Sequence, residues 1–98
     1  MYLSDIETSI KRILTTPLGS RVMEPLFGSN LHELIDKRPD QEWRLRFIRD
    51  THAAISKWEP RVKVLLVTPA RVDERTHIMI RFELLETGKI HEIEVVYD

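Results

Sequence analysis

Residues 61–98, RVKVLLVTPARVDERTHIMIRFELLETGKIHEIEVVYD, decide the fold because apolar and polar side chains alternate along them. A period of two is typical of strands that bury one face. The first strand must end, bulge or lie at an edge at Pro69, which cannot donate to a ladder, and Asp73-Glu74-Arg75 is predicted to reverse the chain. The core positions of three predicted strands are Val62, Val64 and Leu66, then Ile78, Ile80, Phe82 and Leu84, then Ile93, Val95 and Tyr97.

The last two strands are predicted to form a hairpin with Thr87-Gly88 as a two-residue loop. This loop fixes the register, and the large apolar pairs then fall on one face. On the other face Arg81 meets Glu94 as an ion pair, whereas Glu83 meets Glu92 in an unfavourable contact. The apolar pairs are Phe82 with Ile93, Ile80 with Val95 and Ile78 with Tyr97.

The second face of the predicted sheet also carries apolar side chains, at Leu65, Val67, Met79 and Val96. They alternate with the core positions and therefore point away from the core, so something must cover them. Two arrangements satisfy the pattern: the first helix packs on this face, or a partner protein does. The residues alone do not choose between the two.

The first of three predicted helices begins near Ser4, which forms a capping box with Glu7. Apolar residues then recur every three or four positions, as they do on one face of an amphipathic helix. Pro17 and Gly19 end this helix. Its apolar stripe consists of Leu3, Ile6, Ile10, Ile13 and Leu14.

Two further helices complete the first part of the chain. Ser29 or Asn30 caps a short one, and Asp40 with Glu42 suits the positive end of the third and longest one. The apolar positions of the short helix are Leu31, Leu34 and Ile35, and those of the long helix run Trp43, Phe47, Thr51, Ala54 and Trp58. The sequence therefore predicts an α+β fold, with three N-terminal helices followed by a three-stranded antiparallel sheet, in a single domain over residues 1–98.

Composition argues against several classes of protein. The 98-residue chain has 15 basic and 16 acidic side chains, a net charge of −1, and no block of positive charge such as nucleic-acid binding requires. It has no cysteine, which suits a reducing compartment. No apolar run is long enough to span a bilayer, and the first residues do not form a signal peptide. We expect neither a nucleic-acid nor a membrane partner.

Residue types that carry chemistry are scattered. The four histidines form no metal-ligand motif and the three glycines form no phosphate-binding loop, so we predict no metal site and no cofactor. Glycoside hydrolysis needs two carboxylates, one with its pKa raised by an apolar pocket, and Glu24, Glu33 and Glu59 are the candidates. A domain of this size offers little room for a polysaccharide cleft, so we predict no catalytic residue.

Arg44, Arg46 and Arg49 of the third predicted helix are candidates for a docking face. Acidic residues lie four positions away from the first two, an arrangement in which charges pair along a helix. The pattern therefore favours a self-paired, solvated face over a docking face. The predicted pairs are Asp40 with Arg44, Glu42 with Arg46 and Arg46 with Asp50.

Two stretches of the sequence resemble a known family. The first is Asp5-Ile6 with Ser9-Ile10 and residues 13–21, ILTTPLGSR, running into residues 23–31, MEPLFGSNL; the second is residues 58–62, WEPRV. Together they are similar to the baseplate wedge protein W family, which includes a component of contractile phage tails long described as a tail lysozyme. A homologous baseplate subunit occurs in type VI secretion systems. The first block is the more specific, because several residues match at fixed spacing.

The resemblance implies a structural subunit of a phage or prophage baseplate that joins wedge proteins and helps to initiate sheath attachment. It implies a hetero-oligomeric assembly with baseplate wedge and sheath proteins, formed in the bacterial cytoplasm and located in the tail baseplate of the virion. It further implies that Glu59, Pro60 and Arg61 lie at contacts within the wedge, so these are the predicted partner-binding residues. Two alternatives stay open: a peptidoglycan-degrading tail lysozyme, and a cytoplasmic regulatory module of the same fold that binds a protein.

Overall fold

A computed structural model describes residues 2–21, 23, 26–35 and 37–97. Within them, helix α1 (Tyr2–Thr15), a 3-10 turn (Leu31–Glu33) and helix α2 (Gln41–Trp58) precede strands β1 (Val62–Val72), β2 (Arg75–Leu84) and β3 (Ile90–Tyr97). The strands form one antiparallel sheet in the order β1-β2-β3. The predicted α+β class with a three-stranded antiparallel sheet is confirmed. The prediction of three helices is wrong, because the described residues form two.

Helix α1 keeps the predicted apolar stripe but not the predicted start. Ser4 lies inside the first turn, because the helix already includes Tyr2. The capping box with Glu7 is therefore wrong. At the other end, the hydroxyl of Thr16 donates to the carbonyl of Arg12 at 2.6 Å, and Pro17 follows. The fully buried members of the stripe are Ile6, Ile10, Ile13 and Leu14.

The predicted second helix is a single 3-10 turn. Asn30 precedes it with φ −93° and ψ 13°, which is not the extended conformation of a capping residue, and its side chain makes no capping bond. An uncapped turn of three residues gains too few hydrogen bonds to nucleate an α-helix. Leu31 and Leu34 are nevertheless buried, as the apolar spacing predicts.

Helix α2 is the predicted long helix, and both of its ends have a clear cause. Asp40 is extended, and its carboxylate accepts from the backbone N–H of Trp43 at 2.9 Å. Pro60 disfavours helical geometry at Glu59, which has φ −132° and ψ 79°. The buried residues of α2 are Trp43, Phe47, Thr51, Ala54 and Ile55.

Strand β1 contains a bulge that the alternation did not predict. Its register against β2 shifts between Val64 and Leu66, so the extra residue reverses which side chains point inward. Val67 is buried and Leu66 is 49% exposed, the opposite of the prediction. The predicted reversal is confirmed, since Asp73 and Glu74 have φ of 50° and 67°, as in a tight hairpin turn.

The hairpin of β2 and β3 is displaced by two residues from its predicted register. Ile80 lies opposite Ile93, and the connection spans residues 85–89 instead of Thr87-Gly88 alone. Because the displacement is an even number, every side chain keeps its predicted face. Arg81 now pairs with Glu92 at 3.1 Å, so Glu92 no longer faces Glu83.

Both helices pack on the same face of the sheet. The hydroxyl of Tyr97, on the inner face of β3, donates to the carbonyl of Leu14 at the end of α1. Of the two arrangements that the sequence left open for the second face, packing of α1 on it is therefore excluded. We call this second face the outer face, and no described helix packs on it. Its side chains include Lys63, Leu66, Thr68, Met79, Arg81, Glu92, Glu94 and Val96.

Candidate functional site

The predicted partner-binding residues form a corner between α2 and β1. Arg61 holds Glu59 through two hydrogen bonds, from Nε to Oε1 at 2.6 Å and from Nη2 to Oε2 at 2.8 Å. Such a bidentate pair fixes the guanidinium in one orientation. The Glu59 side chain is only 3% exposed, whereas that of Arg61 is 41% exposed. Pro60 is exposed between them.

The carboxyl group of Glu59 is held in its ionised form. The hydrogen bond from Arg61 lowers the pKa of Glu59 below its ordinary 4.5; burial acts in the opposite direction, and a hydrogen bond with the Ser9 side chain lowers the pKa further. Since Ser9 lies on α1, this carboxylate connects α1 to the corner. Its charge is satisfied inside the molecule, so the surface offered to a partner consists of Pro60 and the outer part of Arg61.

The block that carries the family resemblance folds into a tight loop after α1. The backbone N–H of Ser29 donates to the carbonyl of Thr16 at 3.0 Å, and that of Leu18 donates to the carbonyl of Ser29 at 3.3 Å. Gly28 has φ 111°, and a Cβ there would lie 2.1 Å from the Thr16 carbonyl oxygen. Only glycine permits this approach. Pro25 of the same block lies outside the described residues.

Two hydroxyl groups converge on the last turn of α1. The carbonyl of Leu14 accepts from Ser29 Oγ at 3.1 Å and from the hydroxyl of Tyr97. Burial raises the pKa of Tyr97 above its ordinary value of 10, so the hydroxyl stays protonated and donates. We call the group of these buried polar contacts the α1 junction. It comprises Ser9, Leu14, Thr16, Gly28, Ser29, Glu59, Arg61 and Tyr97.

The two edges of the sheet differ. The N–H of Leu84 donates to the carbonyl of Lys89, so the backbone groups of alternate β2 residues, Ile78 among them, point toward β3. Pro69 pairs with Ile78 and therefore turns its nitrogen to the open edge of β1, where no ladder bond is lost. Together with the bulge, this proline makes the β1 edge unsuitable for pairing with a further strand.

The β3 edge carries no such protection. By the same alternation, the backbone groups that point away from β2 belong to Ile90, Glu92, Glu94 and Val96. None of these residues is proline, and the β2–β3 register is continuous from Thr76 to Glu83. Sequence reasoning missed this site, although strands joined in a simple meander always leave the last one at an edge.

The two described candidate acids for hydrolysis, Glu33 and Glu59, do not form the pair that the chemistry requires. Glu24 lies outside the described residues. Glu33 is 65% exposed beside Arg46, at 4.0 Å, and so lacks an apolar pocket. The pKa of Glu59 is lowered, whereas a general acid needs a raised one.

The arginines of α2 pair differently from the prediction. Among the described residues, Arg46 lies beside Glu33 and Arg49 beside Asp50, at 4.0 and 3.4 Å, and neither partner is four positions away. The described histidines, aspartates and glutamates gather nowhere in a group of three that could hold a metal ion. No described helix combines the length and the apolar character needed to cross a membrane.

Comparison with known proteins now places the chain in a family. Residues 2–89 match the model of the baseplate wedge protein gp25 family, so the chain belongs to this family of baseplate wedge proteins. It is 39% identical over 88 residues to baseplate protein W of Escherichia phage P2, covering 89% of this chain and 76% of that protein. The predicted family and the predicted role as a baseplate wedge protein of a contractile tail are confirmed.

Two solved structures resemble this one. A protein of Geobacter sulfurreducens described as a proposed tail lysozyme superposes with a TM-score of 0.90 at 27% identity, over 99% of this chain and 90% of that one. A chain in the post-contraction baseplate of pyocin R2 superposes with a TM-score of 0.66 at 26% identity, over 96% of this chain and 82% of that one. The second similarity supports a structural role in a baseplate.

Proposed function

We propose that this chain joins neighbouring wedge proteins through the Glu59-Pro60-Arg61 corner and helps to seat the sheath on the baseplate, in an assembly formed in the bacterial cytoplasm. One observation carries the proposal: a buried carboxylate holds an arginine in a fixed orientation at an exposed corner. In this arrangement Glu59 is a positioning residue, and Arg61 and Pro60 make the contact.

A preoriented guanidinium suits recognition of a partner carboxylate. Its rotamer entropy has already been lost within the folded subunit, so less is lost on binding. Charge-assisted bonds of this kind fix the register between subunits. We therefore expect an acidic side chain of a wedge protein to meet Arg61.

The β3 edge, which has neither a proline nor a bulge, supports the proposed contact with the sheath. A strand edge with outward N–H and C=O groups binds an extended segment by adding it as a further strand. We assign the sheath contact to this edge, because β1 is blunted by Pro69 and by its bulge.

The wedge contact is tested by co-purification with the wedge and sheath proteins of the same contractile tail. The test variant combines Glu59→Gln with Arg61→Ala, so that no unpaired carboxylate is left buried. Arg81→Ala is the matched control, since it removes an exposed, paired arginine elsewhere. We expect the control to retain the wedge proteins and the double variant, shown to be folded by circular dichroism, to lose them. Retention by the double variant would refute the assignment of the corner.

The sheath contact is tested at Glu94, whose N–H points away from β2. Glu94→Pro removes that donor without touching the β2 ladder, and Glu94→Ala removes the same side chain but keeps the donor. We expect sheath protein to co-purify with Glu94→Ala and not with Glu94→Pro. Equal recovery with both variants would show that the β3 edge does not bind the sheath.

A further inference from the structure

A groove between α2 and the loop that follows α1 remains unused by the corner and by the β3 edge. It has a cavity volume of about 180 Å³, and Leu18, Leu26, Ala53 and Trp58 are among the residues that line it. Leu26 is 65% exposed and Leu18 is 40% exposed. Exposed leucines beside a groove mark a binding surface more often than leucines scattered singly over a protein.

A backbone hydrogen bond holds Leu18 at one end of the loop. Its two ends are bonded together where Ser29 meets Thr16 and Leu18, and Gly28 allows the close backbone approach. A preformed apolar wall loses little entropy when a partner binds. The specific sequence block around Gly28 therefore builds a surface as well as a turn.

The opposite wall is one face of α2, formed by Asp50, Ala53, Ala54 and Lys57. These positions lie three and four residues apart, so they share a face. The two alanines are small enough for another helix to approach closely. Asp50 and Lys57 carry opposite charges two turns apart, about 10.5 Å along the helix, and Asp50 also lies 3.4 Å from the exposed Arg49.

We propose that this groove binds an amphipathic helix of a partner protein. The apolar stripe of that helix contacts Leu18, Leu26 and Trp58, and it carries a basic and an acidic residue seven positions apart, opposite Asp50 and Lys57. A helix is favoured over a strand because the described walls of the groove are a helix and a loop, with no strand edge to pair with.

The charge complementarity can be tested with three synthetic helical peptides and the ¹⁵N-labelled protein. The peptides share one apolar stripe, and their two flanking positions carry Lys and Glu, two Glu or two Lys. This design works for either direction of the bound helix. We expect the Lys/Glu peptide to bind wild type about fivefold more tightly than the others, with amide shifts at Leu26, Ala53 and Lys57. Asp50→Lys should transfer the preference to the two-Glu peptide.

A substitution in the loop provides the second readout. Leu26→Asp should weaken binding of the Lys/Glu peptide at least about tenfold. Leu45→Asp is the matched control, because Leu45 is a comparably exposed leucine of α2 that does not line the groove. Equal binding of the three peptides, amide shifts outside the groove, or equal effects of the two leucine variants would each overturn the proposal. The peptides come from no wedge or sheath protein, so this result is independent of the proposed function.

Discussion

The α1 junction and the outer face of the sheet contain similar polar groups in different surroundings. In the junction, Glu59 is 3% exposed and is bonded by Arg61 at 2.6 Å. On the outer face, Arg81 and Glu92 are bonded at 3.1 Å with side chains 50% and 45% exposed. Water competes for both groups of the second pair, whereas in the first it reaches Arg61, which is 41% exposed, but hardly reaches the carboxylate of Glu59. The same two residue types therefore stabilise the fold to very different extents, and burial decides which pair matters.

The largest expected effect follows from breaking the buried pair. Glu59→Ala leaves the pairing groups of Arg61 and the Ser9 side chain without their carboxylate. We expect it to lower the free energy of unfolding by about 2 to 4 kcal/mol, because two charge-assisted hydrogen bonds are lost while Arg61, which is 41% exposed, can still be hydrated; urea denaturation measures the loss. A loss below about 1 kcal/mol, typical of surface pairs, would remove the contrast between the two regions.

A second test disrupts the α1 junction at the close backbone contact between Gly28 and Thr16. Gly28→Ala adds a Cβ that would lie 2.1 Å from the Thr16 carbonyl oxygen at φ 111°. We expect a loss of about 2 to 3 kcal/mol in the free energy of unfolding. Gly88→Ala is the control, since Gly88 has φ 75° but open space around its Cβ position. It should cost only the backbone strain, about 1 kcal/mol. Equal losses for the two variants would show that the contact with Thr16 is unimportant.

Lowering the pH tests the buried Glu59–Arg61 pair without changing the size of any side chain. Because the pKa of Glu59 is lowered in the folded protein, its ionised form stabilises the fold above the ordinary value of 4.5, and this contribution is lost as the pH falls through the folded pKa. Wild type should therefore lose stability more steeply than Glu59→Gln in urea titrations carried from about pH 6 to pH 3. Parallel curves for the two proteins would mean that Glu59 has the same pKa folded and unfolded.

The smallest expected effect concerns the outer face. Arg81→Ala, Glu92→Ala and the double variant form a cycle that isolates the energy of this pair. We expect a coupling below about 1 kcal/mol, reduced further by added salt. Chemical denaturation of the four proteins measures it. A coupling as large as the loss from Glu59→Ala would show that exposure does not govern these pairs.

Local rules in the sequence predicted the features that depend on a few neighbouring residues. Asp40 at the positive end of α2, the reversal at Asp73-Glu74 and the inward faces of β2 and β3 all follow from propensity and periodicity. The fold class followed from the same change of period near residue 60.

Features that depend on distant parts of the chain were not predictable in this way. Nothing local distinguishes a bulge at Leu65 from regular alternation, and a register error of two residues preserves every face. The sequence singled out the residues of the corner, but it did not show that Glu59 is hydrogen-bonded to Ser9 of α1, which is fifty positions away. That the Glu59 carboxylate is bonded inside the molecule was therefore visible only in the three-dimensional structure.

The hydrogen bond between Tyr97 and Leu14 has a consequence for the order of folding. It joins residues separated by 83 positions, whereas Arg81 and Glu92 are separated by 11. Closing the longer loop costs about 2 kcal/mol more in chain entropy. The meander of β1, β2 and β3 with the preceding α2 consists of contacts between consecutive elements, so it forms at lower cost. We expect α1 to dock after the transition state, which φ-values near zero for substitutions at Ile10 would show.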